Sequence, residues 1–127
     1  MKSSKDIGDI GEKIASQYLK KKRFKIIKRN HHEGKNELDI VAKNKEFIVF
    51  AEVKTRCVED ASKIAFEVCA ASAVDRDKQT RTVAAAKAYL SKSSERLQPR
   101  FDVIEVYLLK SDPRHLIEIN HIENAFC

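Results

Sequence analysis

Residues 46–54, EFIVFAEVK, are apolar on both faces of any strand they form. Phe47, Val49, Ala51 and Val53 alternate with Ile48 and Phe50, so neither face can be left to water. Such a strand belongs in the middle of a sheet, and helices must cover it on both sides. It ends in Glu52-Val53-Lys54, which projects an acid and a base side by side from one face where the apolar run stops. Before it, NELDIVAK at 36–43 reads as an antiparallel neighbour across a turn at Asn44-Lys45. FKIIKRN at 24–30 reads as a further antiparallel strand, beyond the loop HHEGK.

Two segments have helical spacing. Residues 6–22 place Ile7, Ile10, Ile14, Ala15, Tyr18 and Leu19 on one stripe, with Gly8 and Gly11 on or beside it as expected packing glycines. Residues 75–93 begin with Asp75, suited to N-capping, run through alanines 84–86 and 88, and keep Val83, Ala86, Tyr89 and Leu90 together. RFDVIEVYLLK at 100–110 and HLIEINHI at 115–122 read as strands around the turn SDPR, the second at the sheet edge. Residues 57–73 match neither period. The order helix, three strands, helix, two strands predicts an α/β domain, and 127 residues suffice for one core, so residues 1–127 are read as a single domain.

The chain holds 25 Lys and Arg against 19 Asp and Glu, a net charge of +6, so a polyanionic partner fits. Most of the excess is local, in KKKRFKIIKR at 20–29, and Arg76, Lys78, Arg81 and Lys87 add charge on the second long helix. Lys20, Lys21, Lys22 and Arg23 suit salt-sensitive phosphate contacts, and equally suit a solvated face that complements a helix C-terminus. Cys57, Cys69 and Cys127 are odd in number and form no CxxC pair, which argues against a disulfide framework or a cysteine zinc site and favours a reducing cytoplasm. No signal-like or membrane-spanning apolar run is found. His31-His32, His115 and His121 have no zinc spacing, and the paired histidines are expected in an exposed loop. Arg100 and Asp102 are expected to form a supporting contact.

The acids of the central hairpin carry the chemistry. With a turn at Asn44-Lys45, Asp39 lies opposite Phe50 and diagonal to Glu52, whereas a register moved by two residues sets the carboxylates directly across from each other. Two desolvated carboxylates repel and require a counter-charge. A divalent cation such as Mg²⁺ or Mn²⁺ supplies it, with Lys54 acting on an attacking water in phosphodiester hydrolysis. A structural ion pair of Lys54 with Glu52 or Asp39 supplies it as well, and spacing alone leaves the two readings level. Glu12 lies at the edge of the first helix's apolar stripe, beside Gly8, Ala15 and Leu19, and can look toward the same site as a third acid.

GDIGEKIA at 8–15, Arg29-Asn30, ELDIVA, VFAEVKTR, AAAKAYL, RFDV and the closing IENAF together resemble the YraN-like group of small bacterial proteins in the restriction-endonuclease-like, PD-(D/E)xK superfamily. The resemblance spans nearly the whole chain. It implies a mixed β-sheet flanked by helices, with Asp39, Glu52 and Lys54 as the catalytic triad, Glu12 as the helical acid, and Mg²⁺ or Mn²⁺ held by Asp39 and Glu52. It further implies a nuclease acting on nucleic acid, DNA foremost, with Gln79 as a further candidate although Val83 stands where a tyrosine should follow it; Arg56 and Lys78 are expected to join Lys20–Arg23 in binding the nucleic acid through their charge. The sequence departs from the family pattern at Asn36, where a glycine usually stands, and in residues 57–73. The competing expectation is a non-catalytic nucleic-acid-binding or protein-interaction module that keeps the nuclease fold. A homodimer through Ile64, Phe66 and Val68 is compatible with either.

Overall fold

The computed structural model of the chain describes residues 3–64 and 76–126. Five strands form one sheet in chain order: β1 (Lys25–Glu33), β2 (Asn36–Lys43), β3 (Phe47–Val58), β4 (Gln98–Leu109) and β5 (Asp112–Phe126). Pairing is antiparallel from β1 through β3, parallel between β3 and β4, and antiparallel again to β5. Short turns serve the antiparallel pairs. The parallel pair needs a long crossover, and between Val58 and Gln98 the chain carries a 3-10 turn (Ala61–Lys63) and helix α2 (Arg76–Ser91).

Helix α1 (Ser4–Lys21) opens with a capping box in which Ser3 Oγ accepts from the Asp6 N–H and Asp6 Oδ2 accepts from the Ser3 N–H. Its Ala15 and Leu19 pack on Ile40, Ala42, Val49, Ala51, Ile104 and Val106 on one side of the sheet. On the other side Ala85 and Ala86 of α2 meet Leu38, Val41, Ile48 and Phe50. Ile48 and Val49, adjacent in β3 and facing opposite ways, are both fully buried, as a strand covered on both faces requires. This is the mixed sheet between helices expected of a restriction-endonuclease-like α/β domain.

Several local expectations are corrected. The HHEGK segment is mostly strand: Glu33 pairs with Asn36 across a two-residue turn at Gly34-Lys35, where Gly34 takes a φ of +60°. His31 and His32 therefore lie in β1, and His31 is partly buried, with Nε2 2.8 Å from Glu33 Oε1 and its ring against Tyr89. The β2–β3 turn is Lys45-Glu46 rather than Asn44-Lys45, because the Asn44 Oδ1 accepts from the N–H groups of Glu46 and Phe47 and closes the turn one residue later. The last turn is Lys110-Ser111, and β5 runs far beyond residue 122.

The buried stripe of α2 is Thr82, Ala85 and Ala86, with Tyr89 and Leu90 partly buried beside it; Val83 instead lines a groove beside Phe126. Only one of the two early glycines is a packing glycine. A Cβ on Gly11 would lie 1.8 Å from Thr55 Oγ1, whereas one on Gly8 would meet nothing within 4 Å. Of residues 57–73, which the sequence left open, Cys57 and Val58 extend β3, and Ile64 is buried against Val58 and Tyr107. Asp75, Phe66 and Val68 lie outside the described residues.

Candidate active site at the end of the central hairpin

The β2–β3 ladder pairs Lys43 with Ile48 and Ile40 with Ala51. This is the register moved by two residues, which one further step would carry to Asp39 opposite Glu52, but the ladder ends at Ile40 and Ala51. The regular pattern breaks at this point. Leu38 packs on the α2 side although Ile40, two residues away, packs on the α1 side. Where a ladder bond would continue, the Val53 N–H donates to Asp39 Oδ2 at 3.0 Å. The interruption holds Asp39 at the sheet end, where groups from both layers influence it: Lys78 of α2 lowers its pKa, and its charge in turn raises that of Glu12 of α1.

Glu52 projects from β3 toward α2. Its side chain is 2% exposed, and Oε1 lies 3.2 Å from Lys54 Nζ and 2.8 Å from Lys78 Nζ. Its Oε2 is buried with no hydrogen-bond partner among the described residues. Burial pushes the Asp39 carboxyl above the usual range; the Val53 N–H and the charge of Lys78 oppose this, and Glu52 and Glu37 reinforce it. Burial alone would lower the Lys78 pKa, but its hydrogen bond to Glu52 and the charges of Glu52 and Asp39 raise it. Glu37, Leu38, Asp39, Phe50, Glu52, Lys78 and Thr82 line a gap of about 10 Å³. That is close to the least that admits one water-sized guest.

Glu12 approaches from the α1 side. Its Oε1 is buried and has no hydrogen-bond partner among the described residues, and it borders a cleft of about 430 Å³ with Ser4, Ile7, Gly8, Val53, Thr55 and Cys57. Desolvation first, and then the charges of Asp39, Glu37 and Asp9 against that of Arg29, push its pKa up to about 7. Asp39 and Glu52 thus line one gap on the α2 side of the sheet, with Lys54 on Glu52, whereas Glu12 borders a different cleft on the α1 side and is linked to Asp39 through its charge.

The other basic residues are distributed unevenly. Lys20 to Arg23 are exposed at the far end of α1, with Lys22 Nζ 5.2 Å from the Tyr18 ring centre. Two helical turns from Glu12 place them roughly 12 Å along the axis from the acids. Lys78, expected among the phosphate-binding residues, is in the site itself. Arg56 lies on the same face of β3 as Glu52 and Lys54, half-buried, with Nε lacking a hydrogen-bond partner among the described residues. Gln79 lines the groove that Val83 and Phe126 also line.

Sequence reasoning missed Glu105. It stands beside Lys54 in the parallel ladder, fully buried, with Oε1 accepting from Asn120 Nδ2 at 2.6 Å and Oε2 without a partner among the described residues. An acid in the middle of an otherwise apolar strand gave no cue to its neighbours across the sheet. Asp102, by contrast, is structural as expected. It accepts two hydrogen bonds from Arg100 and one from the Asn124 N–H, and it lies 2.7 Å from His121 Nε2, while His121 Nδ1 is 3.0 Å from the Tyr18 hydroxyl.

Among the described residues no three His, Cys, Asp or Glu side chains converge as a ready-made metal cage. Mg²⁺ and Mn²⁺ need less, since Mg²⁺ is commonly held by one or two carboxylates, with water and phosphate oxygens completing the shell. Asp39 and Glu52 fit that demand: both are desolvated, they line the same gap, and Glu52 Oε2 is an oxygen donor without a protein partner among the described residues. Among the described residues no helix is long and apolar enough to cross a membrane.

Residues 11–106, which contain Glu12 and the whole hairpin, match the model of a protein family described as "Uncharacterised protein family UPF0102". A UPF0102 protein of Caldanaerobacter subterraneus subsp. tengcongensis is 43% identical over 98% of this chain and 97% of its own length. One from Clostridioides difficile is 41% identical over 98% and 99%, and one from Dictyoglomus thermophilum is 34% identical over 98% and 99%. The chain therefore belongs to the UPF0102 family, the YraN-like group that its motifs resemble.

Proposed function

We propose that this protein is a divalent-metal-dependent nuclease that hydrolyses phosphodiester bonds in nucleic acid, DNA foremost. The observation that supports the reading is that Asp39 and Glu52 line one small gap at the end of the β2–β3 ladder, with Lys54 Nζ 3.2 Å from Glu52 Oε1 and Glu12, on the other face of the sheet, close enough to feel the charge of Asp39. Asp39 and Glu52 would hold Mg²⁺ or Mn²⁺. Such an ion, when bound, activates water and offsets charge on the phosphate. Lys54 places an ammonium beside Glu52, where it would orient the attacking water and balance charge on the scissile group. Glu12, with a pKa of about 7, exchanges a proton at Oε1 near neutral pH, as a general acid or base should. Arg56 on the same strand face, and Lys20–Arg23 farther along α1, supply phosphate contacts of the sequence-independent kind.

A second reading has its own support. Two lysines on Glu52 balance its charge within the protein, which suits a nucleic-acid-binding module that keeps the nuclease fold without turnover. One experiment separates them: incubation of the protein and of Glu52→Gln with single-stranded, duplex and branched DNA and with RNA, under Mg²⁺ and Mn²⁺. Cleavage by the wild type that Glu52→Gln abolishes supports the nuclease. Salt-sensitive binding with no cleavage of any of these by either protein supports the module.

A further inference from the structure

Glu52 presents one oxygen to two cations. Lys78 Nζ is 2.8 Å and Lys54 Nζ 3.2 Å from Oε1, on a carboxylate whose charge one ammonium would balance. The two lysines are mounted differently. Lys54 rises from β3, paired along its length with β4, and its side chain is 22% exposed. Lys78 reaches in from the first turn of α2, and its side chain is 43% exposed. A third cation on the same carboxylate would stand within a few ångströms of both ammonium groups, and like charges that close in a desolvated site cannot all remain. The long, half-solvated Lys78 can leave at little conformational cost, whereas Lys54 is confined by the sheet.

We propose that Lys78 is a displaceable counter-ion: it holds Glu52 in competition with a divalent cation, and when the cation binds, the released ammonium turns to a phosphate of the nucleic acid. The inference rests on reading Asp39 and Glu52 as cation ligands. It makes cation and nucleic-acid binding mutually reinforcing, because each favours the arrangement in which Lys78 has left Glu52. Without a cation, Lys78 contributes little to nucleic-acid affinity. A lysine that merely lined a phosphate track would contribute equally with and without the cation.

The test begins with Mn²⁺ alone, titrated by calorimetry and electron paramagnetic resonance into the wild type, Lys78→Met and Glu52→Gln. Lys78→Gln serves as a second variant, and thermal melts check that each protein is folded. Loss of the competing charge is expected to tighten Mn²⁺ binding about tenfold in both Lys78 variants, the change that corresponds to ~1.4 kcal/mol. Next, DNA duplex, DNA strand and RNA strand are titrated with and without Ca²⁺. The wild type should bind at least one of them more tightly with Ca²⁺, and Lys78→Met should lose most of that gain, with any loss of Ca²⁺-free affinity much the smaller of the two. Unchanged or weaker Mn²⁺ binding in both Lys78 variants, alongside Glu52-dependent binding in the wild type, overturns the counter-ion role and leaves the metal site standing. Absence of Mn²⁺ binding in wild type and Lys78 variants alike removes both. No gain from Ca²⁺ in the wild type, or an equal loss with and without Ca²⁺ in Lys78→Met, overturns the transfer to phosphate.

Discussion

Glu12→Gln should stabilise the protein at mildly alkaline pH and leave its stability unchanged in acid. The Glu12 carboxyl moves from an ordinary 4.5 to about 7, chiefly through burial and then through Asp39, Glu37 and Asp9, with Arg29 opposing. Because the folded-state pKa is the raised one, the folded protein holds this proton more tightly than the unfolded chain does. The ionised group costs nothing below about pH 4.5; the cost grows as pH rises and is complete above about pH 7. At 1.36 kcal/mol per pKa unit, the full linkage is roughly 3 kcal/mol, and screening of this partly solvated group reduces it to about 1–2 kcal/mol. Glutamine is neutral throughout, so the stability difference between the two proteins isolates the titration. The assay is urea unfolding of both across the pH range in the presence of a chelator. The difference should be near zero at about pH 4, rise through about pH 5–7, and then level off with the variant more stable. A flat difference, or one that shrinks as pH rises, would refute the desolvated, carboxylate-crowded environment assigned to Glu12.

Gly11→Ala should destabilise the fold by ~1–3 kcal/mol, because its Cβ would overlap Thr55, whereas Gly8→Ala should raise stability by ~0.5–1 kcal/mol by removing a flexible residue from an uncrowded helix position; urea unfolding of both reads the contrast. Asp102→Asn should cost ~3 kcal/mol by taking the fully buried charge partner from the Arg100 guanidinium and leaving it only the longer, exposed contact with Glu123. Burial raises the Asp102 pKa, but His121, Arg100 and the Asn124 N–H outweigh it and lower it overall, so its contribution is present above the ordinary carboxyl range and lost in strong acid. A shallow acid-unfolding difference between Asp102→Asn and the wild type would contradict that. Asp39→Asn keeps an acceptor for the Val53 N–H and relieves crowding with Glu52 and Glu37, so its thermal unfolding should show stability unchanged or higher by ~1 kcal/mol. A loss of ~3 kcal/mol or more would mark Asp39 as half of a structural ion pair.

The central strand was legible in the sequence because its two-faced apolar run has few structural alternatives, and from it followed the helices on both sides and the position of Glu52 and Lys54. Whether Asp39 met Glu52 depended on the β2–β3 register, and the Asn44 side chain decides it by bonding Glu46 and Phe47 and moving the turn by one residue. Periodicity carries no signal for that. Nor does it reveal the break at Asp39, where a side chain replaces a ladder partner of Val53 and lets Leu38 turn toward α2. Lys78 read as one member of a basic helix face, since only the docking of α2 on the sheet brings it to Glu52. The two glycines of α1 looked equivalent in the sequence. Thr55, more than 40 positions away, distinguishes them.

Whether Asp39 and Glu52 are cation ligands is read most directly from the anomalous difference density of crystals soaked in Mn²⁺, for the wild type and for Glu52→Gln. A single strong peak is expected within bonding distance of both carboxylates in the wild type, and its loss in the variant. No peak in the wild type, with Lys54 and Lys78 still on Glu52 even when nucleic acid is bound, would contradict their role as ligands.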